Sequence, residues 1–295
     1  MAQQEMLEKI TNGTGFIAAL DQSGGSSPGA LERYGVMQDS YSGDDEMFAK
    51  IHEMRVRIMT SPAFTGERVL GAILFEKTMD GEANGQPVPA YLWSKGVVPF
   101  LKCDKGLEDE ADGVQLMKPM PDLDALLSKG AAKGVFGTKM RSVIQKANRG
   151  GIAAIVKQQV DVGLQIIGHG LCPMLEPEIN IKSAERAECD QILKEELTKA
   201  LDALPDDKSV MLKLSIPVKA NLYADLIDHP RVVRVVALSG GYSTDEACSE
   251  LAKNNGMIAS FSRALLEGLQ YGQSEDEFNA ALDGAIQQIH DASAT

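Results

Sequence analysis

The sequence predicts an α/β protein, a single (β/α)8 barrel that spans residues 1–295. Two observations favour this class. Eight short apolar runs alternate with stretches long enough to hold helices, which is the pattern of parallel βα units. Eight such units within one chain of 295 residues suit a closed barrel, because α/β barrels reach this length as one domain. An open doubly wound sheet is the second interpretation.

The predicted strands are short and rich in apolar residues. In chain order they cover residues 15–21, 69–75, 98–104, 134–140, 170–176, 210–216, 233–239 and 257–263. Apolar residues at helical spacing predict helices at 44–59 and 152–167 between them. Two later helices are expected to begin with capping boxes at Ser243 and Ser274, each followed three residues on by a glutamate.

Composition excludes several function classes. A net charge of −13 argues against a nucleic-acid or anionic-membrane surface, although a local basic pocket remains compatible with it. The acidic N-terminus has no apolar core typical of a secretory signal, and no apolar run is long enough to cross a bilayer. The four cysteines include no Cys-x-x-Cys pair, which favours neither zinc nor disulfides and suits a reducing cytoplasm. No dinucleotide fingerprint or P-loop is present in the sequence.

Lys213 lies in the predicted strand Val-Met-Leu-Lys-Leu-Ser-Ile-Pro, between apolar neighbours on both sides. Burying a lysine there is costly, and one use for such a site is a desolvated amine that attacks a carbonyl group. The alternative is a structural lysine that reaches solvent or pairs with a carboxylate.

Charged residues also end four other predicted strands. Side chains alternate between the interior and the helix layer of a parallel barrel, and the carboxyl ends of its strands carry the chemistry. This alternation predicts that two acids and three lysines meet at one end of the barrel: Asp21, Lys102, Lys139, Glu176 and Lys213. Each could instead cap a turn, face solvent or form a structural ion pair. Burying so many charges without a function would cost several kcal/mol for each unpaired ion.

Glycine- and serine-rich loops follow the first and seventh strands. The later loop, Ser239-Gly240-Gly241, leads into a helix start where backbone amides can approach a phosphate, and Arg263 after the eighth strand adds a guanidinium. The earlier loop spans residues 22–28. Two such loops on opposite sides of a lysine suggest a substrate with a phosphate at each end, although both could be ordinary turns.

At these residues the sequence resembles the class I fructose-bisphosphate aldolases, in their bacterial single-domain type, over essentially the whole chain. Seven motifs in chain order carry the resemblance. They lie at residues 18–26, 101–106, 137–142, 175–178, 211–214, 238–242 and 260–265.

The resemblance implies that Lys213 forms a Schiff base with the C2 ketone of fructose 1,6-bisphosphate. Glu176 resembles the acid/base that assists dehydration, with Glu178 in support. Asp21 is similar to the carboxylate that takes the C4 hydroxyl proton, and Lys139 resembles the cation that keeps the Lys213 amine neutral. The iminium accepts the electrons released by cleavage, so neither a cofactor nor a metal ion is expected. The four histidines are isolated in the sequence, without metal-ligand spacing.

The resemblance also assigns two phosphate sites. Eight residues are expected to bind the substrate phosphates: Ser239, Gly240, Gly241 and Arg263 for one, and Ser23, Ser26, Lys102 and Arg141 for the other. Two departures from vertebrate members stand out. A basic pair after the first loop is replaced by Gly29 and Ala30, and the chain ends in Asp-Ala-Ser-Ala-Thr without the vertebrate tyrosine. The second phosphate is then held more weakly or by other residues.

The predicted function is therefore a cytoplasmic, metal-independent lyase of glycolysis and gluconeogenesis that cleaves fructose 1,6-bisphosphate reversibly. Its expected partners are small sugar phosphates, with no nucleic acid and no membrane. Alternatives are another ketose substrate such as sedoheptulose 1,7-bisphosphate, a metal-dependent barrel lyase, and a catalytically silent barrel that binds a sugar phosphate. Assembly into a homo-oligomer is left open.

Overall fold

Eight parallel strands form a nearly closed barrel in the computed structural model, which describes residues 2–295. The strands are β1 (Phe16–Leu20), β2 (Val69–Leu74), β3 (Val98–Lys102), β4 (Gly137–Ile144), β5 (Cys172–Ile179), β6 (Val210–Ser215), β7 (Val232–Leu238) and β8 (Ile258–Ala259). Each strand pairs with the next in chain order. Between β1 and β8 the Ala19 amide donates to the Phe261 carbonyl at 3.0 Å, which joins the two ends of the sheet. The predicted (β/α)8 architecture is confirmed.

Helices surround the barrel and connect its strands. They are α1 (Ala2–Asn12), α2 (Ser27–Arg33), α3 (Gly43–Thr60), α4 (Glu76–Asp80), α5 (Val88–Ser94), α6 (Leu123–Ala132), α7 (Arg149–Gly168), α8 (Arg186–Asp202), α9 (Ala224–Ile227), α10 (Thr244–Leu251), α11 (Arg263–Leu266) and α12 (Glu275–Ala292). Both predicted capping boxes are present at Ser243 and Ser274, where each hydroxyl accepts from the amide three residues later. None of the helices described over residues 2–295 is long and apolar enough to cross a membrane.

The barrel interior is filled by alternate residues of the strands. The inward-facing apolar side chains form one buried cluster that includes Ile17, Ile73, Val98, Met174, Met211, Val236 and Ile258. Phe100 lies at its centre, and its ring is 3.0 Å from where a Cβ would stand on either Gly71 or Gly137. Glycine at those two positions therefore makes room for the aromatic ring between neighbouring strands. A filled lower barrel leaves only the upper end open for a polar site.

The amino-terminal helix closes the other end of the barrel. Met6 and Ile10 of α1 are buried in the same cluster as the inward-facing strand residues. The outer faces of the strands pack against the remaining helices in a second, larger apolar cluster. The prediction did not include α1, because its weak amphipathic pattern precedes the first strand.

Two strands extend further at their carboxyl ends than predicted, and the last strand is much shorter. β4 continues to Ile144 because a short segment at Val114–Gln115 pairs antiparallel with its end. β5 continues to Ile179, so Glu178 lies within the strand instead of following it. The connection between α4 and α5 contains a small antiparallel ladder between Glu82–Ala83 and Gln86–Pro87. These differences extend the walls of the barrel at its carboxyl end without changing which side chains point inward.

Candidate active site

Four charged side chains form a continuous chain of ion pairs across the open end of the barrel. The Lys139 ammonium lies 2.7 Å from Asp21 Oδ2 and 2.9 Å from Glu176 Oε2. The other oxygen of Glu176, Oε1, lies 3.0 Å from the Lys213 ammonium. All four residues are at least 92% buried, since none exposes more than 8% of its surface. The structure thus brings together the five-residue cluster predicted from the sequence, except for Lys102.

Strand register explains why these groups meet. Met174 on β5 is level with Met211 on β6, and both point into the barrel. Two residues further along each strand, Glu176 and Lys213 therefore face inward at the same height. Lys139 on β4 is level with Met174, and its long side chain reaches upward and across to Asp21, which immediately follows β1. The chain of ion pairs connects β1, β4, β5 and β6.

Charge and burial have opposite effects on the pKa values of Asp21 and Lys139 in this network. Burial alone would raise the pKa of Asp21, but the Lys139 and Lys213 ammonium groups outweigh it and hold that pKa well below its usual range. Burial alone would lower the pKa of Lys139, but Asp21, Glu176 and Asp104 raise it well above its usual range. Asp21 is therefore an ionised carboxylate and Lys139 a permanent cation at neutral pH.

One proton transfer within the Lys213–Glu176 pair would produce both a nucleophile and a proton donor. At 3.0 Å the ammonium and the carboxylate are within hydrogen-bond reach. Moving one proton from Lys213 to Glu176 produces a neutral amine, which is a nucleophile, and a neutral carboxylic acid, which is a proton donor. The pair is buried, so the substrate reaches these groups only from the open end of the barrel.

Two further ion pairs border the network. The Lys102 ammonium contacts Asp104 Oδ1 at 2.7 Å and the Asp104 carbonyl at 2.8 Å. Arg141 pairs through Nε with Glu178, and its backbone amide donates to Asp104 Oδ2 at 3.3 Å. Lys102 thus lies beside the network without joining it. Asp104, which was not among the predicted site residues, holds both Lys102 and the backbone of β4 at Arg141.

A cleft of about 570 Å³ opens beside the network and is lined by two of its four residues, Asp21 and Lys139. Its charged lining comprises two carboxylates and five cations, namely Asp21, Asp104, Arg33, Lys102, Lys139, Arg141 and Arg263. Within residues 2–295, only Arg33 and Arg263 of these cations lack a carboxylate partner. A cleft with more positive than negative charges in a chain of net charge −13 suits an anionic ligand.

The predicted phosphate loops lie on two sides of this cleft. Ser23 and Ser26 line it directly, and the Ser26 hydroxyl donates to the Ser23 carbonyl at 2.9 Å. Ser239 is buried, at the end of β7 beside β6. Gly241 lines an adjoining cavity of about 450 Å³ that also contains Arg263.

The glycines after β7 have positive φ angles, +60° for Gly240 and +116° for Gly241. A Cβ on Gly241 would stand 3.1 Å from Nη2 of Arg263, and one on Gly240 would stand 2.5 Å from a methyl of Ile181. Glycine at 241 therefore leaves the Arg263 guanidinium free to lie against the backbone of the loop. The loop after β7 and Arg263, which the sequence predicts to bind the same phosphate, are therefore in contact.

Gln22 and Arg55 support the site, and neither was predicted. Arg55 on α3 is fully buried and has no carboxylate partner within hydrogen-bond distance among the described residues. It donates to the Thr78 hydroxyl at 2.7 Å and to the carbonyl and side-chain oxygens of Gln22. Gln22 Nε2 in turn donates to the Ser262 hydroxyl at 2.6 Å, which connects the loop after β1 with that after β8. The sequence does contain a sign that Arg55 is buried, because this residue lies next to the apolar stripe Met47, Ile51, Met54 and Ile58.

The histidine and cysteine side chains lie elsewhere. Among residues 2–295 no group of three or more His, Cys, Asp and Glu side chains is arranged to hold a metal ion. The four cysteines are free, and burial raises the pKa of Cys103, whose thiol lies 3.6 Å from the Lys139 carbonyl, to about 12. These thiols are therefore protonated at neutral pH and carry no charge in the site.

Known proteins resemble this chain along its full length. A family profile described as fructose-bisphosphate aldolase class-I matches residues 6–225. A Synechocystis sp. protein named fructose-bisphosphate aldolase class 1 is 57% identical over 293 residues, covering 99% of this chain and 98% of that protein.

Solved structures give the same fold at low sequence identity. The fructose-bisphosphate aldolase of Plasmodium falciparum, solved in complex with TRAP and a small-molecule inhibitor, superposes with a TM-score of 0.78 at 20% identity, covering 99% of this chain and 94% of that one. A protein from Corynebacterium glutamicum superposes with a TM-score of 0.53 at 14% identity, covering 98% and 92% of the two chains.

Proposed function

The chain belongs to the class-I fructose-bisphosphate aldolase family, and we propose that Asp21, Lys139, Glu176 and Lys213 carry out its reaction. As a lyase of this family it cleaves fructose 1,6-bisphosphate reversibly into dihydroxyacetone phosphate and glyceraldehyde 3-phosphate. The observation that supports the assignment of roles is the buried contact of 3.0 Å between Lys213 and Glu176, at the open end of the barrel.

Imine formation begins at Lys213. Its neutral amine adds to the C2 carbonyl of the substrate, and the carbinolamine that results loses its oxygen as water. Glu176, protonated by the transfer from Lys213, returns that proton to the departing hydroxyl. Lys139 keeps its own proton because two carboxylates lie within 2.9 Å of its ammonium, so it neutralises Glu176 when that residue is ionised. The electron pair of the broken C–O bond leaves with the water, and a cationic iminium remains.

Carbon–carbon cleavage then requires a base at the C4 hydroxyl, and we assign that role to Asp21. Asp21 takes the hydroxyl proton, the C3–C4 bond breaks, and its electron pair moves into the iminium to give a neutral enamine. A carboxylate with a strongly lowered pKa is a weak base. The C4 hydroxyl must therefore displace the Lys139 ammonium from Asp21, which raises the basicity of Asp21 as the substrate binds.

The enamine explains why this chemistry needs neither a metal ion nor an organic cofactor. The iminium nitrogen accepts the charge that would otherwise build up on C3 as a carbanion. Protonation of the enamine at C3 and hydrolysis of the imine return Lys213 and release dihydroxyacetone phosphate. Membership of the aldolase family favours this route over a metal-dependent lyase or a silent barrel.

The two loops are proposed to hold the phosphates at opposite ends of the substrate. C1 adjoins the C2 carbon that bonds to Lys213, so its phosphate belongs beside β6 and β7, near Ser239, Gly240, Gly241 and Arg263. C6 is four carbons away, so its phosphate belongs on the side of Ser23, Ser26, Lys102 and Arg141. Glu178 holds Arg141 in place through their ion pair. For Ser26 to donate to a phosphate, its hydroxyl must turn away from the Ser23 carbonyl.

We further propose that residues 1–295 act as one catalytic unit in the cytoplasm. The support is the sheet that runs through all eight barrel strands, and the four free cysteines, which suit a reducing compartment.

The roles of Lys213 and Glu176 can be tested by cleavage assays. Lys213→Met is expected to abolish turnover of fructose 1,6-bisphosphate, and Glu176→Gln to reduce kcat about 10²- to 10⁴-fold because proton transfer is lost. Lys95→Met is a matched control: Lys95 is another partly buried lysine, but it lies before β3 at the opposite end of the barrel. Wild-type kcat in Glu176→Gln would contradict the proposed role.

A further inference from the structure

One wall of the cleft has a position without a side chain. Gly29 lines the cleft but offers no side chain, and Ala30 beside it is buried with 2% of its surface exposed. Neither residue can bind a phosphate through a charge. The proposed function nonetheless places the C6 phosphate on this side, close to Ser23 and Ser26.

Arg33 occupies the space that Gly29 leaves open. It lies four residues further along α2, so the two residues share one face of the helix. Nη1 of Arg33 is 3.6 Å from where a Cβ would stand on Gly29, and Arg33 lines the cleft. The guanidinium therefore lies over the glycine, where the cleft meets the adjoining cavity of Gly241 and Arg263. A larger side chain at position 29 would compete for this place.

Hydrogen bonds hold the backbone at Arg33, whereas its guanidinium has no carboxylate partner among the described residues. Its carbonyl accepts from Gln270 Nε2 at 2.9 Å, and the carbonyl of the next residue, Tyr34, accepts from the Tyr271 amide at 2.7 Å. No carboxylate among residues 2–295 forms an ion pair with the guanidinium, in contrast to Lys102 and Arg141. Such an arginine is suited to bidentate binding of a phosphate, because its backbone is fixed and its unpaired guanidinium faces the cleft.

We propose that Arg33 binds the C6 phosphate of the substrate and sets the preference for a bisphosphate over a 1-monophosphate. This inference rests on the proposed function. A charge-assisted hydrogen bond to an ionised group contributes about 1.5–3 kcal/mol, which corresponds to about 10-fold or more in affinity.

The test measures kcat/KM for fructose 1,6-bisphosphate and for fructose 1-phosphate, and uses their ratio as the readout. Arg33→Ala is expected to lower the ratio about 10-fold, mainly by raising KM for the bisphosphate. Arg33→Lys should retain part of the preference, because it keeps the charge but loses the bidentate geometry. Adding Gly29→Lys to Arg33→Ala should restore part of it, since φ at position 29 is ordinary and a Cβ there meets only the Arg33 side chain.

Arg231→Ala is the control for the change in net charge. Arg231 precedes β7 at the far end of the barrel and pairs with Asp206 on the surface, so its removal should leave the ratio unchanged. Equal ratios in Arg33→Ala and Arg231→Ala would overturn the proposal, as would a loss in Arg33→Ala that falls equally on both substrates. Failure of the proposed function itself would appear differently, as a wild-type enzyme without an imine at Lys213.

Discussion

Replacing Lys139 by methionine tests the electrostatic account of the site. Methionine has a similar length but no charge, so Lys139→Met leaves Asp21 and Glu176 buried with Lys213 as their one remaining partner in the network. Removing one member of a buried ion pair typically costs about 3–5 kcal/mol, because the remaining charge is left without compensation. We expect the free energy of unfolding at pH 7 to fall by about that amount.

The loss of stability in Lys139→Met should become smaller as the pH falls. In the wild-type protein the pKa of Asp21 lies below its ordinary value of 3.8, so its ionisation stabilises the fold above pH 3.8 and this contribution is lost only as pH falls through the lower, folded-state pKa. In Lys139→Met the opposing effect of burial dominates, and the pKa of Asp21 rises above 3.8. The folded variant then takes up a proton as pH falls and recovers stability. Each unit of pKa change corresponds to about 1.4 kcal/mol.

Urea unfolding at pH 7 and pH 4.5 measures this effect. The stability gap between wild type and Lys139→Met should be smaller at the lower pH, because the Asp21 carboxylate of the folded variant takes up a proton there. Phe100→Ala is the matched control, because emptying the space between Gly71 and Gly137 should also cost about 3–5 kcal/mol but involves no titrating group. A gap for Lys139→Met that is the same at both pH values, as expected for Phe100→Ala, would refute the reasoning.

Three further variants test the surroundings of the network. Arg263→Ala should raise KM about 10-fold for fructose 1,6-bisphosphate and less for an unphosphorylated analogue; equal effects on both would remove Arg263 from the phosphate site. Gly241→Ala should lower stability by about 1–2 kcal/mol and raise the same KM, because φ is +116° and the new Cβ would press against Arg263; an unchanged KM would count against their contact. Arg55→Met should reduce kcat/KM and lower the free energy of unfolding by about 1–3 kcal/mol, because Gln22 and Thr78 lose their donor; full activity with wild-type stability would show that this support is dispensable.

Alternation along the strands was sufficient to predict which charged side chains point into the open end of the barrel. The inward set on β5, Cys172, Met174 and Glu176, follows from a period of two and an apolar lower barrel. The same rule gave Lys213 on β6. Those predictions depend only on local sequence, because the direction of a side chain in a strand is fixed by its neighbours along the chain.

Pairing between side chains could not be predicted in the same way. Lys102 and Lys139 point inward from adjacent strands at the same level, yet Lys139 joins the network while Lys102 turns to Asp104 two residues away. Sequence spacing does not distinguish these two outcomes, because each depends on which carboxylate lies closer in three dimensions. The sequence also gave no reason to extend β4 to Ile144, since its partner segment begins at Val114.

Long-range supports were the residues most easily missed. Arg55 is 33 positions from Gln22, and Gln22 is 240 positions from Ser262, although the three form one hydrogen-bonded path. Such contacts arise only when the closed barrel brings the loops after β1 and β8 together. Arg33 was missed for a similar reason, because its approach to the cleft depends on the turn of α2 that places it over Gly29.

Borohydride reduction in the presence of dihydroxyacetone phosphate and EDTA, followed by peptide mass mapping, tests directly whether Lys213 forms the Schiff base. Lys95 provides an internal comparison, because burial lowers its pKa to about 8 and it therefore has more neutral amine than an ordinary lysine. We expect a reduced adduct on Lys213 and none on Lys95. No adduct on Lys213, or an adduct confined to Lys95 or another lysine, would contradict the assignment of the Schiff base to the network at the open end of the barrel.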